Sequence, residues 1–120
     1  MKYKYAAALW SLLILVLSLT PGRSIPKVGW KIFIQWDKLA HFTLYGILAV
    51  LLAWKLADDH NGVKVKDLIV VCLICSVYGV IMEAMQYYFL SDRFFEIPDI
   101  IANIIGSIAG SVFVYLFLKR

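Results

Sequence analysis

Charge is what this sequence has least of: charged residues fill 17% of its 120 positions and apolar ones 62%, where an ordinary soluble domain carries about 25% charged residues. A chain of this length builds one small aqueous core at best, too small to hide so much apolar surface. The mean hydropathy of +0.81 therefore excludes a conventional soluble domain. A bilayer is the fitting solvent, because exposed Leu, Ile, Val and Phe carry no penalty there. Basic excess is also small, with 12 Lys and Arg against 8 Asp and Glu for a formal charge of +4. These cations are scattered near segment ends and form no stripe, which excludes nucleic acid as the partner and leaves anionic lipid headgroups. Cysteine is scarce: Cys72 and Cys75 have the spacing of a redox pair. They sit inside an apolar run, however, without the solvated helix N-terminus that activates a thiolate, and read as small core residues. Also missing are an A-x-A-like cleavage site after Leu19, an internal repeat and a low-complexity tract. The basic start at Lys2 and Lys4 thus introduces a retained first span rather than a removed signal, and residues 1–120 read as one domain.

What is present is a set of apolar runs near the length that a hydrocarbon core demands, about 20 residues. Spans are expected over roughly 5–20, 37–57, 67–90 and 97–118, an all-α transmembrane four-helix bundle with short loops. Thr20-Pro21-Gly22 stops the first, since Pro21 has no N–H to donate to the next turn. Residues 22–36 mix Arg23, Lys27 and Lys31 with Pro26, Trp30 and Trp36, the composition of a loop resting at headgroup depth. Lys55 to Lys66 is a polar turn, and Ser91 to Glu96 a tighter one leading to Pro98, a residue favoured in a first helical turn. The positive-inside rule compares Lys2, Lys4, Lys55, Lys64, Lys66, Lys119 and Arg120 on one side with Arg23, Lys27, Lys31, Lys38 and Arg93 on the other. That bias places both termini in the cytoplasm.

With spans alternating in direction, the start of the second, the end of the third and the start of the fourth share one membrane face. Asp37, His41 and Tyr45 ride one face of the second at successive turns, with Lys38 beside them. Gly79, Glu83, Gln86 and Tyr87 form a stripe late in the third. Asp99, Asn103, Gly106 and Gly110 of the fourth fall within about 60° at 100° per residue. Arg93 and Glu96 lie in the joining loop. Singly, several have ordinary explanations: His41 as an interfacial histidine, Asp37 as an N-cap, Asp99 as a first-turn carboxylate favoured by the helix dipole. Glu83 resists that treatment, because the dipole opposes a negative charge late in a helix, and a buried carboxylate needs a partner such as Arg93, Lys38 or His41. The Gly106 to Gly110 spacing suits a close helix contact and would equally permit self-association.

Three segments, Asp37-Lys-Leu-Ala-His41-Phe-Thr-Leu-Tyr45-Gly46, Gly79-Val-Ile-Met-Glu83-Ala-Met-Gln86 and Arg93-Phe-Phe-Glu96-Ile-Pro-Asp99-Ile-Ile-Ala-Asn103-Ile-Ile-Gly106, resemble the VanZ-like family. Arg93, Asp99, Asn103 and Gly106 match that family's characteristic spacing, and Glu96 stands where an aspartate is common. The resemblance implies a small multi-span protein of the bacterial cytoplasmic membrane, whose founding member is associated with resistance to the glycopeptide teicoplanin.

The expected function is binding of a lipid headgroup or lipid-linked cell-wall precursor at the extracytoplasmic face. Lys38 and Arg93 would hold an anionic group, with Asp37, His41, Tyr45, Glu83, Gln86, Asp99 and Asn103 around it, and Trp36, Tyr87 and Tyr88 as walls. A second reading is an enzyme on a membrane lipid, with His41 and Glu83 as general acid and base, or with His41, Glu83 and Asp99 around a divalent cation. No HExxH, positioned nucleophile or paired-carboxylate motif accompanies these residues, so the sequence assigns neither cofactor nor metal. A third reading is a scaffold whose polar groups only lock the bundle.

Overall fold

The computed structural model describes residues 2–19, 30–89 and 97–118, with side chains from residue 5 in the first stretch and from residue 38 in the second. Those residues form α1 (Lys2–Ser18), α2 (Trp30–Asp59), α3 (Val65–Phe89) and α4 (Ile97–Leu118), and no strand is present among them. Lys38–Asp59 within α2, all of α3 and all of α4 are long and apolar enough to cross a membrane. At 17 residues, α1 rises about 25 Å, at the short end of what spans a bilayer.

The expected boundaries hold to within a few residues for α1, α3 and α4. The stretch 22–36, read as an interfacial loop with room for a short amphipathic turn, is helical throughout its described part, 30–36, so α2 runs 30 residues. The bulky Trp30, Ile32, Phe33, Ile34 and Trp36 extend its apolar run, and no proline or glycine falls between Gly29 and Gly46. The polar turn is shorter than residues 55–66, because α2 continues to Asp59 and α3 begins at Val65. It closes by a helix-ending motif in which Asn61 is left-handed (φ 58°) and the Gly62 N–H donates to the Ala57 carbonyl at 2.8 Å. Gly62, at φ 147°, takes a conformation that a β-carbon would oppose.

The bundle is turned inside out relative to a soluble protein. Leu9, Val16, Leu73, Val77, Ile105 and Leu116 face outward, whereas Glu83, Gln86, Asn103, Ser107 and Ser111 are buried. Lipid is itself apolar, so packing and hydrogen bonds must hold the helices together. The most extensive contact is between α2 and α4, which run parallel with α3 antiparallel to both. Glycines permit it: a β-carbon on Gly106 would collide with the Phe42 carbonyl, one on Gly110 with the Gly46 carbonyl, and one on Gly46 would lie 3.2 Å from the Gly106 carbonyl. The Gly106 and Gly110 face is thus occupied within the chain by α2. At the far end Trp54 packs on Phe117, ring centres 5.3 Å apart. Helix α1 is fastened by the Trp10 indole N–H donating to the Leu44 carbonyl at 2.8 Å and by the Tyr78 hydroxyl donating to the Ser11 carbonyl at 2.5 Å. Cys75 lies in the core, and Cys72 lies 3.5 Å from the Ser111 hydroxyl. Both cysteines are free, in keeping with their reading as packing residues.

Candidate functional site

The tight α2–α4 contact fixes the heights of His41 and Asn103, which face each other one turn before Gly46 and Gly106. His41 Nδ1 lies 2.9 Å from Asn103 Oδ1. A carboxamide oxygen can only accept, so Nδ1 carries the proton and donates it. The other ring nitrogen, Nε2, is thereby turned toward Asp99 Oδ2 at 3.5 Å and Glu83 Oε1 at 4.0 Å. Lys38 Nζ approaches the other oxygen of Asp99, Oδ1, at 3.4 Å. The aspartate therefore divides its two oxygens between an ammonium on one side and an imidazole on the other.

Depth grades across the site. Glu83 and Asn103 are each 1% exposed and Asp99 3%, while the side chains of His41 and Lys38 are 12% and 34% exposed. Asp99 gains from the N-terminal turn of α4, where the helix dipole favours a negative charge. Glu83 has no such help near the C-terminal part of α3, so its placement depends on the groups around it. The donor atoms of His41, Glu83 and Asp99 all lie within 4.8 Å of one another, a spacing that can hold a cation. Asn103 is set by Gly79: the ideal position of a β-carbon there is 2.7 Å from Asn103 Nδ2. Tyr45, 1% exposed, lies below His41 with near-parallel rings 6.4 Å apart. Among the described residues, neither the Tyr45 hydroxyl nor Asn103 Nδ2 makes a hydrogen bond.

Of the residues singled out in the sequence, Lys38, His41, Glu83, Asp99 and Asn103 meet, and Tyr45 and Gln86 are buried on the same helices. Arg93 and Glu96 lie outside the described residues, as do the side chains of Trp36 and Asp37. Of the expected partners of Glu83, His41 faces it and Lys38 turns to Asp99 instead. The proposed aromatic walls need correction. Tyr87 and Tyr88 are 56% and 79% exposed and meet each other edge to face; at 100° per residue from Glu83, Tyr88 points away from the bundle. The sequence reading also passed over Ser107 and Ser111, which continue the Asp99–Asn103 stripe at four-residue steps and are buried. It missed Asp67 too, which is 6% exposed and lies 2.7 Å from His60 Nδ1 at the opposite end of the bundle. The signal was a carboxylate in the first turn of α3, seven residues after a histidine.

A fission-yeast protein, "Uncharacterized protein C11E3.10" of Schizosaccharomyces pombe, is 29% identical over 84 residues, which are 70% of this chain and 49% of that one. The chain spans about half the length of this curated relative. No solved structure matches. The VanZ/LLP1 family matches over residues 3–118, nearly the whole chain and every residue of the cluster, and the protein belongs to that family.

Proposed function

We propose that this protein binds the phosphate-bearing polar headgroup of a membrane lipid, or of a lipid-linked envelope component, at the Lys38, His41, Glu83, Asp99 and Asn103 cluster. The observation that supports this reading most is the burial of two carboxylates and a carboxamide in a bundle whose other faces are apolar. Burying such groups is costly, and a bundle needing only cohesion is served as well by the glycine contact farther along α2 and α4. Lys38, the most exposed member, meets the phosphate, and His41 and Asp99 contact hydroxyls or amines of the headgroup. With both termini cytoplasmic, the cluster lies at the extracytoplasmic face of a bacterial cytoplasmic membrane. A relative in a fission yeast favours a headgroup chemistry not confined to bacterial walls. The link to glycopeptides then follows when the bound component is a wall precursor: expression in a teicoplanin-sensitive bacterium raises resistance.

Titration of the detergent-purified protein with short-chain phosphatidylglycerol and with diacylglycerol, followed by tryptophan fluorescence, tests the reading. Saturable binding of the phospholipid alone, weakened by about tenfold or more in Lys38→Ala and His41→Ala through loss of a charged hydrogen bond, is the expected outcome. Equal affinities for the two lipids, or for wild type and variants, would refute it. The scaffold reading draws on the His41–Asn103 bond between α2 and α4, and predicts variants that melt earlier without any change in lipid preference.

A further inference from the structure

We infer that His41, Glu83 and Asp99 hold one divalent cation of borderline hardness, such as Zn²⁺ or Mn²⁺. In the neutral ring, with Nδ1–H donated to Asn103, the lone pair sits on Nε2, on the side of carboxylate oxygens at 3.5 and 4.0 Å. Three Lewis-basic atoms from three helices thus converge on one point within 4.8 Å of each other. Zinc takes imidazole nitrogen and carboxylate oxygen at about 2.0–2.2 Å, so tetrahedral donors stand roughly 3.3–3.5 Å apart. The His41 to Asp99 separation already matches, and Glu83, at 4.0 Å from Nε2, has to come closer for all three to hold one ion.

The surroundings have the form of an outer shell. A metal-bound histidine ordinarily donates its other N–H to a carbonyl or carboxylate, which fixes its tautomer, and the Asn103 oxygen does this here. Lys38 engages Oδ1 of Asp99, and Oδ2 is the oxygen on the His41 side. One imidazole and two carboxylates suit Zn²⁺, Mn²⁺ or Fe²⁺ better than copper(I), which prefers sulfur, or calcium, which prefers six or more oxygens. Three protein ligands leave an exchangeable position, as in catalytic zinc sites. An anionic headgroup oxygen fills it. In that last step the inference rests on the headgroup reading, whereas cation binding itself needs no lipid.

Tag-free protein in detergent, stripped with EDTA and titrated with Zn²⁺ or Mn²⁺ by calorimetry and elemental analysis, tests the site. One equivalent binds to wild type. Glu83→Gln and Asp99→Asn abolish stoichiometric binding, Asn103→Leu weakens it by about 10–100-fold, and Asp67→Asn, in the cluster at the other end, leaves it unchanged. Should the isosteric variants fail to fold, wild type labelled with ¹⁵N-histidine still decides the matter: Zn²⁺ moves the Nε2 resonance of His41 and not that of His60. No binding to wild type, binding that persists in both carboxylate variants, or a shift at His60 alone would overturn the inference. Phosphatidylglycerol is then titrated into stripped and Zn²⁺-loaded protein. Equal lipid binding in the two removes the cation from headgroup recognition and leaves the headgroup reading standing. Cation binding in a protein that takes no lipid keeps the metal site and removes that reading.

Discussion

Asn103 connects the packing of this bundle to its chemistry. Its carboxamide is pressed against Gly79 on α3 and its oxygen holds His41 on α2, so α4 sets the imidazole through one side chain. Gly79→Ala places a methyl 2.7 Å from Nδ2, and the flexible end of Asn103 must swing away. Hydrogen bonds between membrane helices contribute about 0.6 kcal/mol on average and up to about 1.7. Gly79→Ala and Asn103→Ala should each cost about 1 kcal/mol in thermal unfolding in detergent. The double variant should cost nearer one of these than their sum, since both remove the same bond; strict additivity would show the bond to be unimportant. At this scale the sequence was informative about Glu83, whose charge is out of place late in an apolar helix, and about His41 and Asp99 only through their sharing a membrane face with it. It was silent on how they pair. Four-residue spacing places a side chain on a face, but whether Lys38 turns to Glu83 or to Asp99 depends on tenths of an ångström in the α2–α4 contact.

Among the elements, α2 and α4 form the rigid pair. Gly106 and Gly110 present their α-carbons to backbone carbonyls of α2, with no room for a β-carbon, whereas Gly46 has a 3.2 Å clearance that slight rotation can relieve. Gly106→Ala and Gly110→Ala are expected to destabilise by about 1–3 kcal/mol as overpacking substitutions. Gly46→Ala should cost distinctly less, in melting curves followed by circular dichroism. Equal effects at the three positions would mean that the helices separate freely. Helix lengths were readable from the apolar runs, and α4 appears with the expected ends because Pro98 and Asp99 suit a first turn. The early start of α2 was not readable, because Trp and Lys mixtures suit an interfacial helix as well as an interfacial loop. The contact partner of Gly106 and Gly110 was likewise hidden: small residues announce a close approach without naming the neighbour.

For the whole molecule, alternating spans place the cluster at one membrane face and the His60–Asp67 turn at the other. The proposed orientation, with both termini in the cytoplasm, puts that turn in the cytoplasm as well. A cysteine introduced at Asn61, with Cys72 and Cys75 replaced by alanine, should therefore react with a membrane-impermeant maleimide only after the membrane is opened. Labelling of intact cells would invert the protein and move the cluster to the cytoplasmic face. The parity argument needs no such orientation, since it joins the same helix ends either way, and this is why five residues from three helices could be expected to meet before their distances were known.

The central claim is that the buried polar cluster is a binding site and not only a clamp. Native mass spectrometry of wild-type protein in mild detergent, beside a His41→Ala, Glu83→Ala double variant of matched thermal stability, tests it most directly. A stoichiometric phosphate-bearing lipid on wild type, absent from the variant, is the predicted result; the same spectrum from both proteins would contradict the account and leave the cluster as a structural lock.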